Sequence, residues 1–168
     1  MKKIIFICFT MIMLSGCVST RNYEGPVLPQ SEVSEIYLVT IDSGVNLYVT
    51  SINNDGKEYY YYKRLSVLPG EKNITLRSDS LSNVDKKYDK TYMAKSTISF
   101  IAKKGKAYTF STPNDYIGSG IRTDSKVCIN EEDWDDPDAL VGLTGEFRSP
   151  SKNSIKIACS EIKLIEKY

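Results

Sequence analysis

The residues that could do chemistry in this chain are few, and one omission narrows them further: its 168 residues contain no histidine. Ser-His-Asp and Cys-His catalysis are excluded, as is any metal site that needs imidazole. Many serines are present, but none lies in a Gly-x-Ser-x-Gly elbow, and a serine without a base is a weak nucleophile. The densest polar feature is an acidic run. Glu131, Glu132, Asp133, Asp135, Asp136 and Asp138 surround Trp134. Carboxylate oxygens at that density suit Ca²⁺, with Asp133, Asp135, Asp136 and Asp138 as candidate ligands. The spacing is not an EF-hand loop, and the same run reads equally as a solvated acidic loop.

Charge balance limits the partners. Lys and Arg total 22 against 21 Asp and Glu, whereas a dedicated nucleic-acid binder is strongly basic. The charges are not evenly spread. Residues 56–106 hold 12 basic and 5 acidic side chains, and both flanks are net acidic. A basic middle can face anionic headgroups or an acidic partner, or it can protect sheet edges against strand-to-strand aggregation.

The N-terminal residues carry the strongest motif. Lys2 and Lys3 precede an uncharged, mostly apolar run from Ile4 to Met13. That run is too short to span a bilayer and fits a secretory h-region. Leu14-Ser15-Gly16-Cys17 follows. This stretch resembles the lipobox of bacterial lipoproteins. The resemblance implies cleavage between Gly16 and Cys17, a covalent lipid on the Cys17 thiol, and acylation of the new amine. Several acyl chains on one residue make a stable anchor. No Asp follows Cys17, which by the same resemblance implies an outer-membrane destination facing the periplasm.

An exported chain lives in an oxidising compartment, and this bears on the remaining cysteines. Cys8 leaves with the signal and Cys17 takes the lipid. Cys128 and Cys159 are left as a pair, and a disulfide between them is expected.

The expected organisation is a signal peptide at 1–16, a lipidated and flexible tether at 17–34, and one domain at 35–168. Gly25, Pro26 and Pro29 give the tether its character. At about 3 Å per residue it could hold the domain up to roughly 50 Å from the bilayer.

Within the domain, Val45, Leu47 and Val49 alternate with polar residues, the period of a half-buried strand. Further strands are expected at 36–41, 59–67, 74–76, 98–102, 108–110, 127–129, 140–147 and 155–165. Turns are expected at 53–56, 69–70 and 103–106, and an exposed loop at 78–91. Ile155, Ile157 and Cys159 share one parity, whereas Ile162 and Leu164 fall on the other, so a bulge or break is expected near Ser160. Tyr59–Tyr62 puts two aromatics on each face of a strand, one pair for the core. Strands at this spacing indicate an all-β, antiparallel β-sandwich of about 7–8 strands. The hairpins at 65–76 and 98–110 are similar to those of uncharacterised envelope lipoproteins, a likeness that implies an immunoglobulin- or transthyretin-like sandwich and carries no catalytic residues.

The function expected from these features is non-enzymatic: an envelope lipoprotein, held to the membrane by its lipid, that binds a protein or envelope polymer and no nucleic acid. A Ca²⁺-dependent binding module and a periplasmic inhibitor or immunity lipoprotein are the alternatives.

Overall fold

The computed structural model describes residues 20–38, 47–57, 59, 64–78, 81–82, 91–111, 126–141 and 148–167. Gly16 and Cys17 lie outside these residues, as do the expected strand positions at 39–41, 45–46, 60–63 and 142–147.

The domain is an all-β sandwich. Its strands are β1 (Thr20–Arg21), β2 (Ser34–Tyr37), β3 (Leu47–Ile52), β4 (Arg64–Val67), β5 (Gly70–Ser78), β6 (Leu81–Ser82), β7 (Thr91–Ala102), β8 (Lys106–Ser111), β9 (Lys126–Asp133), β10 (Leu140–Val141), β11 (Arg148–Ser149), β12 (Ile155–Glu161) and β13 (Lys163–Lys167). One sheet runs β1-β4-β2-β8-β9-β12. The other runs β13-β7-β5-β3, with β6 also on β7, and β10 and β11 form a separate ribbon.

Alternation decides what lies between the sheets. On β7, Ala94, Ser96, Ile98 and Phe100 are buried while Lys95, Thr97 and Ser99 are exposed. Ile74 and Leu76 of β5 and Val49 and Ile52 of β3 join them, and Ile36, Leu65, Val67, Tyr108, Phe110, Val127 and Ile129 meet them from the opposite sheet. Tyr59 also enters this core, 3 % exposed.

Turn chemistry fixes the connections. Asn53 and Asn54 both have positive φ, 53° and 56°, which the hairpin twist favours and Asn tolerates. Gly105, at φ 68°, shapes the β7–β8 turn, and its N–H donates to the Val33 carbonyl at 2.7 Å.

Two pairings depart from the antiparallel expectation: β1 with β4 and β2 with β8 are parallel. Between β2 and β8 the chain crosses to the second sheet for β3, returns to the first for β4, crosses again for β5–β7, and re-enters through the 103–105 turn in the direction β2 already runs. The expected parity switch is present as two features, a register shift between Lys156 and Ala158 and an interruption at Ile162 that separates β12 from β13. The segment expected as a loop at 78–91 contains the short β6 and the start of β7.

Residues 20–33, assigned to the tether from their composition, are bound to the sandwich. β1 pairs with β4, the Asn22 N–H donates to the Ser66 carbonyl at 2.9 Å, and the Asn22 side chain donates to Asp55 and to the Tyr59 hydroxyl. Arg21 Nη1 bonds the Gly25 carbonyl, Gln30–Glu32 form a 3-10 turn, and Glu32 pairs with Lys104. The segment is held by backbone hydrogen bonds and polar contacts rather than by an apolar stripe, which is why its sequence reads as linker.

Candidate functional site

The two sheets present different outer faces. In the six-stranded sheet, inward residues alternate with outward ones that are also largely buried. Register lines up two outward rows. Ser66, Glu35, Ala107 and Glu132 stand opposite one another across β4, β2, β8 and β9. Arg64, Tyr37, Thr109 and Asn130 form the next row across the same strands. This polar face is roofed by residues 21–33 on one side and by residues 134–139 and 148–153 on the other, which is how it comes to be both polar and buried.

One end is organised by Arg148. Its Nε donates to Glu132 Oε1 at 2.6 Å, with the two side chains 2 % and 0 % exposed. Its Nη1 and Nη2 donate to the carbonyls of Trp134 and Asp133, each at 2.7 Å. Glu132 Oε2 accepts the Ser151 N–H at 2.8 Å, so both carboxylate oxygens are satisfied. The guanidinium lies 5.5 Å from the Trp134 ring centre and 6.0 Å from that of Tyr37, and these rings stack at 5.9 Å. The planar fork of Arg suits three divergent hydrogen bonds combined with stacked contacts, and Lys would not reproduce it.

At the other end lies an open cleft of about 400 Å³. Arg21, Tyr23, Val27, Leu28, Gln30 and Val33 form its wall from the N-terminal segment, and Glu35, Arg64, Ser66 and Trp134 form its floor and far side. Glu35 Oε1 accepts the Ser66 hydroxyl at 2.6 Å. Oε2 is buried without a hydrogen bond, and the Arg64 Nε is 3.7 Å from it. Burial pushes the Glu35 carboxyl above its usual range, against the lowering effect of Ser66 and Arg64. Burial raises Tyr37 as well, despite its hydrogen bond with Arg64. Thr109 Oγ1, on the same face, is the other buried oxygen without a partner among the described residues. Unsatisfied buried oxygens are costly in a folded chain, and they concentrate here. The cleft carries aromatic surface with cations against it: Arg64 lies 5.8 Å from the Trp134 ring centre and Arg21 lies 5.6 Å from that of Tyr23.

The acidic run is dispersed. Glu131 takes Lys103 at 2.8 Å and the Tyr108 hydroxyl at 3.0 Å. Asp133 pairs with Lys106, its opposite number across β8 and β9, and that contact raises the Lys106 pKa. Asp136 accepts the Ser151 hydroxyl at 2.8 Å and is held below the usual carboxylate range by it, while Asp138 binds Lys152 and Asn153. Asp135 is exposed, and Asp136 and Asp138 turn to the 151–153 segment, where both meet Asn153. Among the described residues, no group of three or more His, Cys, Asp or Glu side chains gathers as a metal site. The acidic run also absorbs part of the basic middle, through Lys103 and Lys106.

Cys128 and Cys159 form a disulfide, as expected. They stand directly opposite each other on β9 and β12, and the bridge ties this edge strand to its neighbour.

Sequence reasoning singled out the acidic run and Trp134 but missed Glu35, Arg64, Arg21, Tyr23 and Arg148. Glu35 carried a signal: a carboxylate in an otherwise β-forming apolar segment, Glu35 to Ile41. No protein-family model matches this chain, and comparison with curated proteins and with solved structures finds no match.

Proposed function

We propose that this is a membrane-anchored bacterial envelope lipoprotein whose sandwich binds a protein or envelope polymer through the cleft over Glu35. The anchoring half rests on Leu14-Ser15-Gly16-Cys17 with its charged and apolar lead-in. The observation that carries the binding half is the pairing of an open cleft with a buried, incompletely satisfied carboxylate on its floor. A ligand that donates a hydrogen bond to Glu35 would satisfy that oxygen, and the aromatic and guanidinium surfaces would supply contact area. The reading is non-catalytic: the chain has no histidine, and Ser66, the serine against the cleft carboxylate, is itself buried.

Trp134 is the chain's only tryptophan and lines the cleft, so its fluorescence reports occupancy directly. Titration with purified peptidoglycan fragments, and separately with solubilised envelope protein fractions, should shift the emission in one of the two series. Arg64→Ala should weaken that response at least tenfold. A ligand that binds the protein without altering Trp134 emission, and equally well after Arg64→Ala, would remove the cleft from the function.

A further inference from the structure

The outer face of the second sheet differs from the first in being basic and, among the described residues, uncovered. Arg77, Lys95 and Lys163 stand directly opposite one another on β5, β7 and β13. All three are exposed, on the parity opposite the core residues Leu76, Ala94 and Ile162. Neighbouring strands are about 4.8 Å apart, so three cations occupy about 10 Å of one row. Like charges facing each other across a ladder oppose folding. Among the described residues, their outward neighbours on this face are Tyr48, Thr75, Thr97, Met93 and Ile165, the last 42 % exposed, and the exposed Glu161 lies two residues before Lys163. The turn lysines at 103, 104 and 106, by contrast, each have an acidic partner.

Topology places this row relative to the chain's entry. The β4–β5 and β7–β8 turns lie at one end of the sandwich, with the acidic run beside them, since Lys106 faces Asp133. Arg77 is seven residues along β5 from the turn residue Gly70, in the opposite half. β1 runs parallel to β4, toward the turn end, so Thr20 is the end of β1 nearer the half that holds the basic row. Cys17 is three residues before Thr20 in sequence, a reach of at most about 11 Å. The acidic run is therefore at the far end from Thr20, and the row of cations is on the side of Thr20.

We propose that the Arg77–Lys95–Lys163 face of the second sheet rests on anionic lipid headgroups, with Ile165 entering the interface, and that it orients the domain so that the outer face of the six-stranded sheet, with its cleft, is turned away from the bilayer. This rests on the reading of Cys17 as the lipid carrier. Each cation near an anionic surface strengthens association roughly fivefold, and three together on the order of a hundredfold.

The test uses the mature lipidated protein in vesicles of phosphatidylcholine alone or with phosphatidylglycerol. An amine-reactive probe is read residue by residue by mass spectrometry. Labelling of Lys95 and Lys163 should fall roughly threefold or more when phosphatidylglycerol is present and return in high salt, while Lys104 and Lys152, exposed at the turn end, label alike in both. Equal labelling of Lys95 and Lys163 in both vesicle types, with the protein bound to both, would overturn the proposal and leave the anchor standing. Flotation with phosphatidylglycerol vesicles alone, lost in the Lys95→Gln/Lys163→Gln variant, would support the basic face while removing the lipid anchor. Flotation with neither would remove both.

Discussion

Arg148 and Glu132 form a fully buried ion pair, Nε to Oε1 2.6 Å, beneath the loop that carries Trp134. The pair fixes three separate pieces of chain at once: β9 through Glu132, the turn after it through the Asp133 and Trp134 carbonyls, and residue 151 through its N–H. Removing one partner leaves a charge without compensation in a dry site. Arg148→Ala should therefore cost about 3–5 kcal/mol in urea denaturation, and Arg148→Lys should recover only part of it. The double variant Arg148→Met/Glu132→Leu should cost less than Arg148→Ala alone, because no charge is then stranded. A double variant as unstable as the sum of its singles would show that the pair is not coupled.

Glu35 predicts a pH dependence of definite sign. Its carboxyl is raised in the folded state by burial, so folding favours the protonated form. The contribution is fully present below the unfolded value, near 4.5, and is lost as pH rises through the higher folded value. Glu35→Gln keeps an acceptor for the Ser66 hydroxyl and removes the ionisation. The variant should melt higher than the parent at pH 7, and the difference should close as pH falls below 4.5. A variant that melts lower at pH 7 would mean that the Arg64 contact outweighs burial.

The Cys128–Cys159 bridge closes a sequence separation of 31 residues. In the chain-entropy picture this contributes roughly 3–4 kcal/mol. Cys128→Ser/Cys159→Ser should lower stability by about that amount, with β12, an edge strand joined to β9, losing amide-exchange protection first. Uniform loss of protection across both sheets would contradict a local role.

Carboxylates already bound to Lys106, Ser151, Lys152 and Asn153 are poor candidates to converge on one cation. Millimolar Ca²⁺ should leave the melting temperature unchanged, because a ligand that does not bind the native state cannot stabilise it. A rise that disappears in Asp136→Asn would restore the acidic run as a metal site.

The sandwich was legible wherever one strand face is apolar and the other polar. Val49, Ile74, Leu76, Ile98 and Phe100 alternate with polar neighbours and lie in the core. The parity change after Cys159 foretold the interruption at Ile162, because the side-chain period of a strand is two. The parallel pairing of β2 with β8 was not legible, since Tyr37 and Thr109 are joined by no local turn whose residues could announce it. The polar roof was hidden for a different reason. Glu35 and Glu132 look solvent-facing by type, and only the return of residues 21–33 and 148–151 over the sheet removes their water. Arg148 gave no periodic signal, because its partners are set by loop geometry.

Mass spectrometry of the mature N-terminal peptide tests the central claim most directly. The expected peptide begins at Cys17 and carries a thioether-linked diacylglyceryl group and an amide-linked acyl chain. A mature chain beginning elsewhere, or an unmodified Cys17 thiol in protein recovered from the envelope, would contradict it.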